Sequence, residues 1–197
     1  MSEIKIIVGL GNPGREYELT RHNLGYLVAQ YLAESFKLKF RLSSFTNGLT
    51  AEGSIHGQKV CLLLPLTYMN NSGVAVKQTI KQKGITCSDM LVVCDDMNIV
   101  YGQLRLKPSG TDGGNNGLKS VIAQLETADF PRLRMGIGKP AHKDGNVDFV
   151  LSEFTHQEKQ YLQEFIKEAA QCCEVWLKEG IGTAMDQFNK RKENGNQ

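Results

Sequence analysis

The sequence predicts an α/β fold: a single three-layer domain in which a twisted, largely parallel or mixed β-sheet is flanked by helices. Three observations carry that prediction. Two near-continuous apolar runs, IKIIVGLG from Ile4 and MLVVCDD from Met90, have the composition of strands buried on both faces. Segments with apolar residues at helical spacing fall between the strand-like runs, so strand and helix alternate along the chain. Glycine- and asparagine-rich stretches follow several strand ends, where an open α/β sheet builds its cleft.

The first strand runs from Ile4 into a Gly-rich turn. An amphipathic helix follows from about His22 to Phe36, with Leu24, Leu27, Val28, Tyr31 and Leu32 on one face. Thr50–Ile55 and Lys59–Leu64 read as paired strands joined at His56-Gly57, the second running into Pro65. Ser72 opens a helix through Val76 and Ile80 that Gly84 closes. The Met90 strand comes next and belongs near the sheet centre. A further strand is expected over Tyr101–Lys107, a helix over Leu118–Leu125 after SGTDGGNNG, and a short strand from Leu133. After a polar loop from Lys139 to Asn146, a last helix begins near Gln157 and is expected to stop at Gly180. No repeat or linker divides the chain, so residues 1–189 read as one catalytic domain and 190–197 as a disordered tail.

Composition narrows the function classes. Apolar residues make up 41% and charged residues 22% of the 197, which fits a globular protein rather than a disordered one. No apolar run approaches the ~18–20 residues of a membrane helix, and the N-terminus lacks a basic region and cleavage site. The chain is therefore expected in the cytoplasm, away from membranes. Five cysteines, odd in number and without CxxC spacing, argue against a zinc site or a disulfide framework. The net charge of +2 announces no nucleic-acid partner. Yet Arg105, Lys107, Lys119, Arg132, Arg134, Lys139 and Lys143 cluster against few acids, and such a face can bind phosphate or be merely solvated.

Gly9-Leu10-Gly11-Asn12-Pro13-Gly14 fits the dinucleotide pattern GxGxxG, but the helical pattern begins only near His22. In a dinucleotide site the helix starts within the glycine run and holds the pyrophosphate at its N-terminus. The small residues instead leave an Asn side chain exposed at the strand edge.

The polar groups after strands or at helix starts are Asn12, His22, Asn70, Asp95 and Asn116, with Asn71 and Asn115 adjacent. One base, one carboxylate and several amides suffice for hydrolysis without a metal. A neutral imidazole can take a proton from water near neutrality. A carboxylate on its other nitrogen fixes the tautomer, and amides position water and an oxyanion. Singly, each residue is equally a cap, a turn or a strand end. Asp95-Asp96 can also bind a divalent ion, although no other carboxylate cluster has ligand spacing.

Taken together, IVGLGNPGREYELTRHNLGY, LLLPLTYMNNSG, LVVCDDMNIVYGQLRLKPSG, GGNNGLKSVI, FPRLRMGIGKP and VLSEF resemble the bacterial peptidyl-tRNA hydrolase family along nearly the whole chain. The most specific segments are Tyr17 to Gly25 and Met69 to Gly73. The resemblance implies a monomer with no cofactor and no metal. Its reaction would be cleavage of the ester between a peptide and tRNA, releasing tRNA for reuse in translation. By motif, His22 matches the catalytic base, Asp95 its supporting carboxylate, and Asn12 the amide that distinguishes N-blocked groups. Asn70 and Asn116 match amides holding substrate and water. Tyr17, Tyr68 and Met69 match the lining for the tRNA end and peptide. Lys107 and Arg134 match a phosphate-gripping pair, with Arg105 and Arg132 as neighbours, and the Lys139–Asp148 loop is expected to border the cleft. The chain departs from the pattern at Asn115, where many relatives carry His, at Asn98, where an acid is common, and at Tyr68, which replaces a frequent Phe. Asn115 is accordingly expected to have no proton-transfer role.

Overall fold

The computed structural model of the chain describes residues 4–140 and 146–189. Its strands are β1 (Ile4–Gly9), β2 (Arg41–Leu42), β3 (Gly48–Ile55), β4 (Gln58–Pro65), β5 (Met90–Asp96), β6 (Leu104–Lys107) and β7 (Arg132–Gly136). They form one seven-stranded sheet in the order β2-β3-β4-β1-β5-β7-β6. The inner strands β4, β1, β5 and β7 are mutually parallel, while β3 and β6 run antiparallel beside them. The sheet is therefore mixed, as its alternating pattern predicts.

Helices α1 (Leu24–Ser35) and α5 (His156–Phe188) cover one face, and α2 (Ser72–Lys83) and α3 (Asn116–Leu125) cover the other. Successive strand side chains point to opposite faces. In β1, Ile7 faces α1 and α5, while Ile6 and Val8 face α2 and α3. In β5, Leu91 and Val93 take the first face and Met90, Val92 and Cys94 the second. Each fully buried Leu, Ile or Val side chain contributes about 1.5–3 kcal/mol, which explains why these strands have no polar alternation.

Local chemistry sets the boundaries. His56 and Gly57 both have positive φ, the geometry of a tight hairpin turn between β3 and β4. Gly84 ends α2 in the left-handed conformation. Thr155 and Glu158 form a reciprocal cap that starts α5.

Gly180 (φ 85°, ψ 179°) interrupts the helix where the sequence predicts a stop, and a second helical stretch, counted within α5, continues from there to Phe188. The carbonyls of Trp176 and Leu177 accept hydrogen bonds from Lys5 Nζ at 3.4 and 3.0 Å, beside the break. Other expectations need correction. The strand expected from Tyr101 starts only at Leu104. Tyr101 packs its ring against Phe154 and Phe165 and donates its hydroxyl to the Glu158 carbonyl. The loop expected through Asn146 instead begins a short helix there, α4 (Asn146–Val150). The rest of that loop, 141–145, and the 190–197 tail lie outside the described residues. No helix among the described residues is long and apolar enough to cross a membrane.

Candidate active site

The chain crosses from β4 to β5 on opposite sides of β1, so the strand order reverses at β1. In open α/β sheets the crevice beyond the strand ends at such a reversal is where ligands bind. Two glycines bring α1 down onto this point. A Cβ on Gly25 would lie 2.3 Å from the Val93 carbonyl oxygen, and one on Gly9 would lie 2.3 Å from the Gly25 carbonyl oxygen. Only glycine at both positions permits this approach. It sets the 3-10 turn Arg21–Asn23, just before α1, directly over the end of β5.

His22 is thereby buried against Asp95, with Nδ1 2.8 Å from Oδ1. A carboxylate accepts only from N–H, so the pair selects the tautomer with its proton on Nδ1. The lone pair is left on Nε2, the ring nitrogen that can act on a substrate. His22 and Asp95 line a cleft of about 210 Å³ together with Asn115, Asn116, Asn146 and Val150. Asn146 and Val150 come from α4, so the segment expected to border the cleft does so at its described end.

Asn12 occupies the loop after β1. Asn23 holds it with two reciprocal bonds: Asn12 N donates to Asn23 Oδ1 at 2.8 Å, and Asn23 Nδ2 donates to the Asn12 carbonyl at 3.0 Å. The Asn12 side-chain oxygen accepts from Met69 N at 2.9 Å. Met69 is buried at the start of the 3-10 turn Met69–Asn71, before α2. Its methyl lies near Gly117, the second residue of α3, so the loops after β1 and β4 meet the start of α3. Tyr68, half exposed, has φ 54°, a strained value for a residue with a side chain. Its ring meets Tyr17 edge-on at 6.4 Å between centroids. Asn116 is exposed in the cleft, whereas Asn70, also exposed, stands outside its lining.

The basic face is built differently from the expectation. Arg105, Lys107, Arg132 and Arg134 do share one side of the β6–β7 pair, but Lys107 stands opposite Arg132, and Arg105 opposite Arg134. Arg132 is fully buried and is no surface cation. Its guanidinium stacks over the Phe130 ring and donates to the carbonyls of Gly110, Thr111 and Ala128. Burial also lowers its proton affinity below the usual arginine value. Arg134 forms an ion pair with buried Asp96 through Nε, and its guanidinium fills the space a Cβ on Gly113 would need. Asn98 donates to both Asp96 Oδ1 and the Gly113 carbonyl. These groups brace the glycine-rich loop that carries Asn115 and Asn116. Lys107 remains exposed.

Cys94, next to Asp95, is a poor nucleophile: burial, reinforced by the carboxylates of Asp95 and Asp96, pushes its thiol well above the ordinary range. The five cysteines are free thiols. Among the described residues no cluster of three His, Cys, Asp or Glu side chains could hold a metal ion.

Three contributors escaped sequence reasoning. Asn115 donates from Nδ2 to Asp95 Oδ1 at 2.9 Å, and Asn23 clamps Asn12. Arg21 anchors the turn through Glu158. Their only local signal was a place beside His22 or Asn116.

Fold and site together define the class: a mixed-sheet α/β protein whose crevice at the strand reversal carries a histidine–carboxylate pair bordered by side-chain amides. Residues 6–196 match the peptidyl-tRNA hydrolase family. The peptidyl-tRNA hydrolase of Bacillus cytotoxicus is 43% identical over 186 residues, covering 94% of this chain and all of that protein. That of Syntrophotalea carbinolica is 40% identical over 188 residues, 95% of this chain and 98% of its own. The crystal structure of the Acinetobacter baumannii peptidyl-tRNA hydrolase superposes with a TM-score of 0.90 at 36% identity, covering 96% of each chain. The chain belongs to the peptidyl-tRNA hydrolase family and is an enzyme of its bacterial type.

Proposed function

We propose that this chain cleaves the ester joining a peptide, or an N-blocked aminoacyl group, to tRNA, with His22 as general base. The observation that carries the reading is the 2.8 Å contact between His22 Nδ1 and Asp95, within a cleft at the strand reversal. An ester is reactive enough that no covalent nucleophile is needed. Nε2 of His22 takes a proton from a water held by Asn116, while Asn70, outside the cleft lining, contacts the substrate. The resulting hydroxide attacks the carbonyl carbon, and Asp95 steadies the imidazolium that forms. Collapse of the tetrahedral intermediate breaks the bond to the ribose oxygen, which receives the proton from His22.

Asn12, held on both sides by Asn23 and Met69, senses the substrate's first amide. A free α-ammonium cannot make that contact and leaves a polar group unpaired, which gives selectivity for blocked substrates. Tyr17, Tyr68 and Met69 border the tRNA end and the peptide. Lys107 and Arg105, with Arg134 partly committed to Asp96, supply phosphate contacts that depend little on tRNA sequence. The enzyme acts as a monomer in the cytoplasm, as one domain over residues 1–189, without cofactor or membrane partner, and returns tRNA to translation.

The test is release of label from N-acetylaminoacyl-tRNA by purified protein, with unblocked aminoacyl-tRNA as comparison. Turnover of the blocked substrate, and its loss in His22→Ala with tRNA binding retained, is the expected result. No release by the wild-type protein, or release undiminished in His22→Ala, overturns the reading.

A further inference from the structure

The geometry points to Asn115 as a positioning residue that aims the Asp95 carboxylate at His22, an inference that rests on the reading just proposed. Asp95 Oδ1 receives two bonds: one from His22 Nδ1 at 2.8 Å, one from Asn115 Nδ2 at 2.9 Å. The same Nδ2 lies 3.2 Å from the Asp95 carbonyl oxygen. The other end of the amide is also fixed, because Asn115 Oδ1 caps α3 by accepting from Leu118 N at 3.1 Å. Flipping the amide would set Oδ1 against two oxygens of Asp95 and Nδ2 against an N–H, so only one orientation is stable. Asn115 is buried and its backbone N–H is held by Asp112. The start of α3 thus transmits its position to the Asp95 oxygen that binds the imidazole.

Two consequences follow. The carboxylate cannot rotate Oδ1 away from His22, and part of its negative charge is drawn off by the second N–H. The remaining charged neighbours are already committed: Asp96 on β5 pairs with Arg134 from β7, and Asp112 in the loop accepts from Gly114 N. From α4, Asp148 is exposed. Asn115 is then the uncharged group that sets how strongly Asp95 holds the imidazolium.

Two variants separate this role from helix capping. Asn115→Ser keeps an N-cap acceptor but is too short to reach Asp95. Asn115→Asp keeps both cap and size but replaces the donor with a second negative charge. We expect Asn115→Ser to lower kcat roughly tenfold, with KM and melting temperature close to wild type. The acid limb of its kcat/KM–pH profile should move to higher pH. Asn115→Asp should lose more activity and move the limb further, since two carboxylates favour the protonated imidazole. Unchanged kcat and pH profile in both variants would overturn the role. So would activity losses that merely track a fall in melting temperature. Wild-type turnover, measured alongside, tests the parent reading separately.

Discussion

Arg21 and His22 are consecutive, both buried, and both paired with a carboxylate distant in sequence, yet they serve opposite ends. Arg21 is saturated. Its two terminal nitrogens each meet a Glu158 oxygen at 2.7 Å, and the guanidinium lies over the rings of Phe149 and Phe154, at 4.4 and 4.9 Å. Among the described residues His22 keeps one hydrogen bond, to Asp95, and turns the rest of its ring to the cleft. The saturated pair ties the turn to the start of α5 and to the chain just after α4. The unsaturated pair is left with a basic nitrogen to use. One short turn carries both because its consecutive side chains diverge, Arg21 toward α5 and His22 toward β5.

Breaking the saturated pair should therefore cost stability before chemistry. Arg21→Met leaves Glu158 without its cation and should lower the unfolding free energy by about 3 kcal/mol, as for a broken buried ion pair. Turnover per folded molecule should stay within severalfold of wild type. Urea unfolding and activity on the same samples check both, and an unchanged midpoint would refute the anchoring role.

A gentler probe is pH. Burial raises the Glu158 carboxyl, but hydrogen bonds from Arg21 and Thr155, with the charge of Arg21, more than offset it and bring the group down from 4.5 to about 2. A carboxyl lowered by folding contributes stability that is complete above its unfolded value and is lost as pH falls through the folded one. The stability gap between wild type and Glu158→Gln should therefore close as pH drops from about 4.5 toward 2. A gap that does not depend on pH in that window would contradict the pairing.

The same contrast explains what was legible in the sequence. His22, Asp95 and Asn12 sit at strand ends or helix starts, and their motifs are local, so their neighbourhood could be read directly. β1, β4 and β5 announced themselves through unbroken apolar runs. Arg132 could not be placed correctly. It alternates with Leu133 like any outward-facing strand residue, and only the folding of Gly110 and Thr111 over it makes it interior. Asn115 looked like half of an asparagine pair because its partner, Asp95, is 20 residues away. Gly180 was legible as a helix stop; the second helical stretch after it was not, because it is held by packing of Ile181, Ala184 and Met185 against the core. α4 has only five residues, too few for a periodicity to appear.

The central claim is that His22 works as a base because Asp95 holds its proton on Nδ1. Asp95→Asn tests it most directly: Asn115 Nδ2 would still turn the amide oxygen toward Nδ1, but that neutral oxygen accepts more weakly than a carboxylate and carries no charge to steady the imidazolium. Turnover of N-acetylaminoacyl-tRNA under saturating conditions should fall by about a hundredfold or more, with tRNA affinity and melting temperature nearly unchanged. An Asp95→Asn enzyme that turns over at the wild-type rate would contradict the account.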